Sequence, residues 1–205
     1  MQLVHEEREG VTNGSHPLLI QVPYFAIKTI TQLTPGQDMM NTLTITIQSP
    51  FPLSEGSRII LSGLQGAIAA DGDLPVKNVP AAVTNCSAPL GSCADKFSSS
   101  AELTDEGFGY WNNSQKTLTL WVRNSTLAGE LIALAFNVTN PAQGQVPPRI
   151  EIAAEIEYGV HDSSISPTAM NGIEGESDAM RVGAFQVAKC GQSNASALAL
   201  NTLTL

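Results

Sequence analysis

The sequence predicts an all-β chain folded as an antiparallel β-sandwich, on three observations. Apolar and polar residues alternate with a period of two in several runs, which is the signature of strands with one wet face. Turn-forming pairs punctuate those runs, and no segment keeps a helical period for more than a few turns. Charged residues make up only 14% and aromatics 5%, so Ser, Thr, Asn, Gln and Gly must carry the polar surface. Such a surface is common in secreted β-proteins.

Four strands are legible in order. In residues 42–47, Leu43, Ile45 and Ile47 point one way and Thr42, Thr44 and Thr46 the other. Residues 116–122 repeat the pattern with Leu118, Leu120 and Val122, and residues 131–138 with Ile132, Leu134, Phe136 and Val138. Residues 149–158 set Ile150, Ile152, Ala154, Ile156 and Tyr158 against Glu151, Glu155 and Glu157. Between them lie Pro35-Gly36, Glu55-Gly56, Asp71-Gly72, Asn112-Asn113, Asn140-Pro141 and Pro147-Pro148, each a turn signal. Residues 67–70 have room for one short helical turn.

Composition excludes several functions. A net charge of −9 with no Lys/Arg cluster repels phosphates, so no nucleic-acid partner is expected. No apolar run reaches the ~18–20 residues that a membrane helix needs, so no membrane insertion is expected. The opening stretch MQLVHEEREG is charged and has no apolar signal core, so a fragment or a processed form is the expectation.

The chain also resembles itself. Placed over residues 180–205 without a gap, residues 20–45 match at Val22/Val182, Phe25/Phe185, Gln32/Gln192 and Asn41-Thr-Leu-Thr44/Asn201-Thr-Leu-Thr204. Thr-Leu alternation is generic to strands, and Lys116-Thr-Leu-Thr-Leu120 shows it at an unrelated place. The length of the gapless match nevertheless favours a repeat. An offset of 160 residues is too long for a solenoid unit and suits whole domains strung together. The expected division is an arm over 1–16, a β-sandwich over 17–179, and 180–205 as linker and first strand of a next repeat. Alternatively Asn201, Thr202, Leu203, Thr204 and Leu205 form an assembly strand donated to a neighbouring subunit. Head-to-tail strand addition of that kind need not close, and so builds filaments from copies of the same chain.

Asn-X-Ser/Thr occurs at Asn13, Asn85, Asn112, Asn124, Asn137 and Asn194. Chance in this composition would produce roughly two. We expect N-glycosylation at these sites, with short Asn-Ser and Asn-Thr pairs as plain turn chemistry the competing reading. Cys86 and Cys93 enclose a short loop that a disulfide would close, and no second Cys/His pair completes a metal site. Cys190 is left over, as a buried thiol or a link across a subunit boundary. An oxidising, extracellular compartment accounts for cysteines and sequons together.

No active site is expected. His161-Asp162-Ser163 holds the residue types of a catalytic triad, but triad roles need convergence in space rather than adjacency in sequence. Asp71-Gly-Asp73 and Glu174-Gly-Glu176-Ser-Asp178 offer loop carboxylates without the spacing of a calcium loop, so surface acid is expected and no cofactor, with calcium the lesser alternative. Tyr110, Trp111 and Trp121 are candidates for a sugar-binding face. Trp121, alternating with Leu120 and Val122, serves equally as cover for the sheet's outer face.

Three stretches carry a family resemblance: NTLTITIQSPFPLSEGSRIILSGLQG, WNNSQKTLTLWV and ALAFNVTNPAQGQVPPRIEIAAE. They resemble the strand–turn–strand, hairpin and closing phrases of tandem Ig-like β-sandwich modules in large surface proteins of algae and other protists, over residues 38–156. The resemblance implies an extracellular, glycosylated, structural or adhesive role, in some cases in flagellar hairs or surface fibrils. It brings no catalytic residues. The expected function is therefore a structural module of an extracellular filament or cell-surface coat. The alternative is an adhesin or carbohydrate-binding domain of a secreted protein.

Overall fold

The computed structural model describes residues 22–79, 86, 92–157, 163–172 and 179–183. Its strands are β1 (Ile27–Gln32), β2 (Met40–Gln48), β3 (Arg58–Ser62), β4 (Gly72–Asn78), β5 (Phe97–Ser98), β6 (Phe108–Asn112), β7 (Thr117–Val122), β8 (Leu131–Thr139), β9 (Glu151–Ile156) and β10 (Ser163–Ala169). A single 3₁₀ turn, Ala94–Lys96, precedes β5, and it is the only helical element among the described residues. Residues 67–70 are not helical: Gln65-Gly66 makes a turn and Ile68 bridges Thr139.

The fold is all-β and antiparallel. The strands lie side by side in the order β1-β2-β8-β4-β6-β7-β3-β9-β10, with β5 pairing β7. They do not separate cleanly into the two facing sheets of the expected sandwich, because β4 belongs to both halves. Gly72–Pro75 pairs β6, whereas Val76–Asn78 pairs β8. The partner changes directly after Pro75, which has no N–H to give a ladder. A strand that switches partners in this way turns a corner in the sheet. The sheet curls into a half-barrel whose edges touch at one point. There the Ile30 N–H donates to Asn171 O at 2.9 Å and the Asn171 N–H to Lys28 O at 2.9 Å.

All four strands read from alternation form, and their apolar sets face the core. Leu43, Ile45 and Ile47, Leu118, Leu120 and Val122, and Ile132, Leu134, Phe136 and Val138 are all buried. Ile150, Ile152, Ala154 and Ile156 join them, and Tyr158 lies outside the described residues. Their Thr partners on β2 and β7 lie half-buried on the outer face. The same rule puts Pro167 of β10 on an edge strand, where the register slips between Ile165 and Thr168.

Two ends of the half-barrel are set by the strand directions. At the end we call proximal, Ala26 donates to Gln48 O and Gly129 to Ser49 O, each through its N–H. At the opposite, distal end, Gly183 donates to Pro35 O, and Gln145 exchanges backbone bonds with Val182. The nine residues of β2 span the two at about 3.4 Å each, or roughly 30 Å. Ala26 and Gly183 thus lie at opposite ends of the half-barrel.

Two glycines of the first resembling stretch have a physical role at the distal end. Gly63 and Gly66 both have positive φ, 79° and 81°. A Cβ at Gly63 would strike the Arg149 carbonyl, and one at Gly66 would strike the Gln145 side chain. Only glycine fits both conditions.

Candidate functional site

Five strands bring one row of side chains across the outer face: Ser98, Trp121, Arg58, Glu155 and Ser164, each paired with the next. Strand alternation places them there, since Phe97, Leu120, Ile59 and Ala154 face inward. Arg58 meets Glu155 as a fork, Nε to Oε2 at 2.6 Å and Nη2 to Oε1 at 2.8 Å. This hydrogen bond, aided by the carboxylate's charge and opposed by slight burial, raises the guanidinium pKa. Trp121, Arg58, Glu155 and Ser164 of this row floor an open groove of about 540 Å³, flanked by Gly56, Ala101, Glu157 and Ser163, while Ser98 is buried beyond it.

The groove offers an indole surface, a planar ion pair and hydroxyl groups within one concavity. Aromatic faces take apolar ring surfaces, while forked polar groups fix orientation. It has the chemistry of a binding surface. Among the sugar-face candidates, Trp121 lines this groove and Tyr110 is exposed on the neighbouring strand. Trp111 does not belong with them. It is 0% exposed, the inward partner of Leu118, and its indole N–H reaches Asn113 Oδ1 at 3.4 Å. Its alternation partner Tyr110, facing outward, is the signal that identifies Trp111 as core.

The loop carboxylates also find structural work. Asp71 accepts the Asn113 N–H at 2.6 Å and so anchors the β6–β7 hairpin, and Asp73 sits on β4 rather than on a loop. No group of three His, Cys, Asp or Glu is placed to hold a metal among the described residues. Ser163 opens β10, whereas His161, Asp162, Glu174, Glu176 and Asp178 lie outside the described residues.

The asparagines of three sequons are described, Asn112 and Asn137 half-buried and Asn124 exposed. Asn112 closes β6 and folds its Oδ1 over the turn, accepting from Ser114 N–H, Ser114 Oγ and Gln115 N–H. Turn chemistry and glycan attachment are compatible here, because the turn uses the oxygen and a glycan takes the nitrogen. Asn137 likewise uses Oδ1, accepting the Thr42 hydroxyl at 2.9 Å. Asn124 is exposed, and its Nδ2 makes one long bond to Asp95 O at 3.3 Å. Asn13, Asn85 and Asn194 lie outside the described residues, as do Cys190 and the strand Asn201, Thr202, Leu203, Thr204 and Leu205.

Cys86 and Cys93 form a disulfide, with Cα atoms 5.5 Å apart. It closes a loop beside the proximal end. Asn78 supports that loop by donating to Ser92 Oγ and accepting the Ala94 N–H. Nearby, Lys96 Nζ lies 3.1 Å from the buried Glu130 carboxylate, and the Leu127 N–H donates to the same group at 2.8 Å. Alternation offers no hint of this pair, since both residues sit beyond the periodic runs.

Both ends carry exposed apolar side chains. Tyr24, packed edge-on against Phe51, lies at the proximal end with Val22 and Leu127. Leu33, Met39, Met40, Ile68 and Val146 are exposed at the distal end. Among the described residues no helix is long and apolar enough to cross a membrane. No protein-family model and no curated protein matches the chain.

Proposed function

We propose that this chain is a structural, N-glycosylated module of an extracellular filament or cell-surface coat, joined head to tail to copies of itself. The observation that carries this reading is the placement of the chain's two crossings. Ala26 lies beside Gln48, whereas Val182 and Gly183 lie beside Gln145 and Pro35, at opposite ends of the strands. Modules threaded in that way stack along their strand axis with no change of direction. In this reading the half-barrel is an Ig-like sandwich whose two halves share β4. The segment Asn201, Thr202, Leu203, Thr204 and Leu205 supplies the first strand of the next unit or a strand for a neighbour.

The disulfide supports an oxidising compartment, and the sequons at Asn112, Asn124 and Asn137 support glycosylation within it. Electron microscopy of native material tests the reading. A polymer with a regular axial repeat no shorter than about 30 Å is expected. Isolated single molecules would overturn it.

A second reading rests on the Trp121 groove, as a carbohydrate-binding surface of an adhesin. Glycan-array binding by the full chain, lost in Trp121→Ala, is the expected result for that alternative. Trp111 is not a suitable probe, because its replacement would open the core.

A further inference from the structure

We propose that the distal end of one molecule docks the proximal end of a second copy. Leu33, Met39, Met40, Ile68 and Val146 face Val22, Tyr24 and Leu127 in this contact. The proposal rests on the head-to-tail reading above and names the surfaces that make the join.

Nine large apolar residues are exposed among the described residues, and all but Tyr110 lie at the two ends. The flanks between them are of another kind. Thr29, Thr31, Thr42, Thr44 and Thr46 cover the outer face of β1 and β2, half-buried. Scattered exposed apolar residues need no explanation, but segregation to two opposite ends does.

Backbone pairing brings the distal residues to one end of the sheet. Met40 pairs with Thr139 on one side, and Ile68 bridges Thr139 on the other. Leu33 comes directly after β1 and donates its N–H to Thr42 O, one pleat away from Met40 on the same face. Met39 precedes Met40, and its carbonyl takes the Asn140 N–H. Val146, 83% exposed, is next to Gln145, whose side chain is held by Gln65 O and Met180 O.

The occupant is indicated by the chain itself. Val182 crosses this end, buried and bonded to Gln145, and it aligns with Val22 at the offset of 160 residues. Val22, its counterpart at the proximal end, is 75% exposed. The segment that crosses the distal end is thus the sequence counterpart of the segment that enters the proximal end. A second copy is therefore brought to this surface by its proximal side. The two surfaces differ, the contact is heterologous, and it propagates instead of closing.

Mixing two blocked variants of the full chain tests this. Met40→Glu blocks the distal end and Leu127→Glu the proximal end, each placing a carboxylate in an apolar contact. In sedimentation velocity the wild type is expected to show a concentration-dependent ladder of oligomers, and each variant alone to stay monomeric, its association weakened roughly 30-fold or more. An equimolar mixture is expected to form a dimer and nothing larger, since each variant keeps one working end.

Val146→Glu repeats the distal test on a nearly fully exposed side chain, and thermal melting checks that the variants fold. A monomeric wild type, continued assembly of Leu127→Glu, or a mixture that stays monomeric would each overturn the proposal. Leu203→Pro separates the two levels. If it alone abolishes assembly while the end variants still polymerise, head-to-tail assembly stands by strand donation and the docking surfaces do not.

Discussion

Asn41 Nδ2 donates to Asn140 Oδ1 at 2.9 Å across the β2–β8 ladder, with both side chains 0% exposed. The pair is fully occupied. Asn41 also accepts the Thr34 N–H and reaches Gln32 Oε1, while Asn140 Nδ2 donates to Thr34 O and Gly36 O. Two buried amides thus hold the β1–β2 loop against the distal end. The Asn of Asn-Thr-Leu-Thr and the Asn of Asn-Pro are joined in one network, although 99 residues separate them.

Replacing Asn140 by Ala would strip partners from Asn41, Thr34 and Gly36 at once. An unsatisfied buried polar group costs about 1–3 kcal/mol, and we expect a loss of about 3 kcal/mol in urea unfolding. A loss below about 1 kcal/mol would show that the network closes again without Asn140.

Among the described residues Lys96 and Glu130 form a further buried polar pair, and removing one partner alone should be costly. Lys96→Met leaves the Glu130 carboxylate buried with reduced compensation, at about 3–5 kcal/mol. Lys96→Met combined with Glu130→Leu is expected to regain part of that loss. Chemical denaturation of the two single variants and the double variant provides the coupling energy. Equal and additive losses would mean that the pair acts only through packing.

Reduction of Cys86–Cys93 frees a loop with a sequence separation of seven. Loop entropy puts the cost at about 2–3 kcal/mol. Cys86→Ser with Cys93→Ser should lower the melting temperature by that equivalent without changing the fold by circular dichroism. A double variant as stable as the wild type would assign the bond no role in stability.

The Arg58–Glu155 fork should behave in the opposite manner. Both side chains are about half exposed, and surface pairs contribute at most about 1 kcal/mol. Arg58→Ala is expected to leave the unfolding midpoint nearly unchanged. If the groove binds sugar, the same substitution should weaken that binding, as read by quenching of Trp121 fluorescence on glycan titration. A large drop in stability would instead make the pair a structural clamp.

Glycan occupancy is predicted at Asn112, Asn124 and Asn137. Enzymatic deglycosylation of native protein in heavy-oxygen water converts each occupied Asn to a labelled Asp, which peptide mass spectrometry counts. Asn137 offers the sharpest result, because Asn137→Gln should remove its glycan and also the Thr42 bond. Unlabelled peptides at these three and at Asn13, Asn85 and Asn194 would remove the glycoprotein reading.

Fold class and inward faces are legible in the amino-acid order. A period of two comes from strand geometry alone, so Leu43, Leu118, Phe136 and Ile152 can be assigned to the core without coordinates. The Cys86–Cys93 pairing is legible too, because a short loop places two thiols within reach whatever surrounds them. Whatever depends on strands distant in the chain had to wait for the assembled sheet. Assembly made β4 a shared strand turned at Pro75, where sequence showed a loop with two carboxylates. It buried Trp111 and left Trp121 in a groove, since which face of a strand is wet depends on what packs across it. It also gathered Leu33, Met40, Ile68 and Val146 at one end, from three separate connections. No local pattern carries that information, because ends of strands become neighbours only when the sheet has formed.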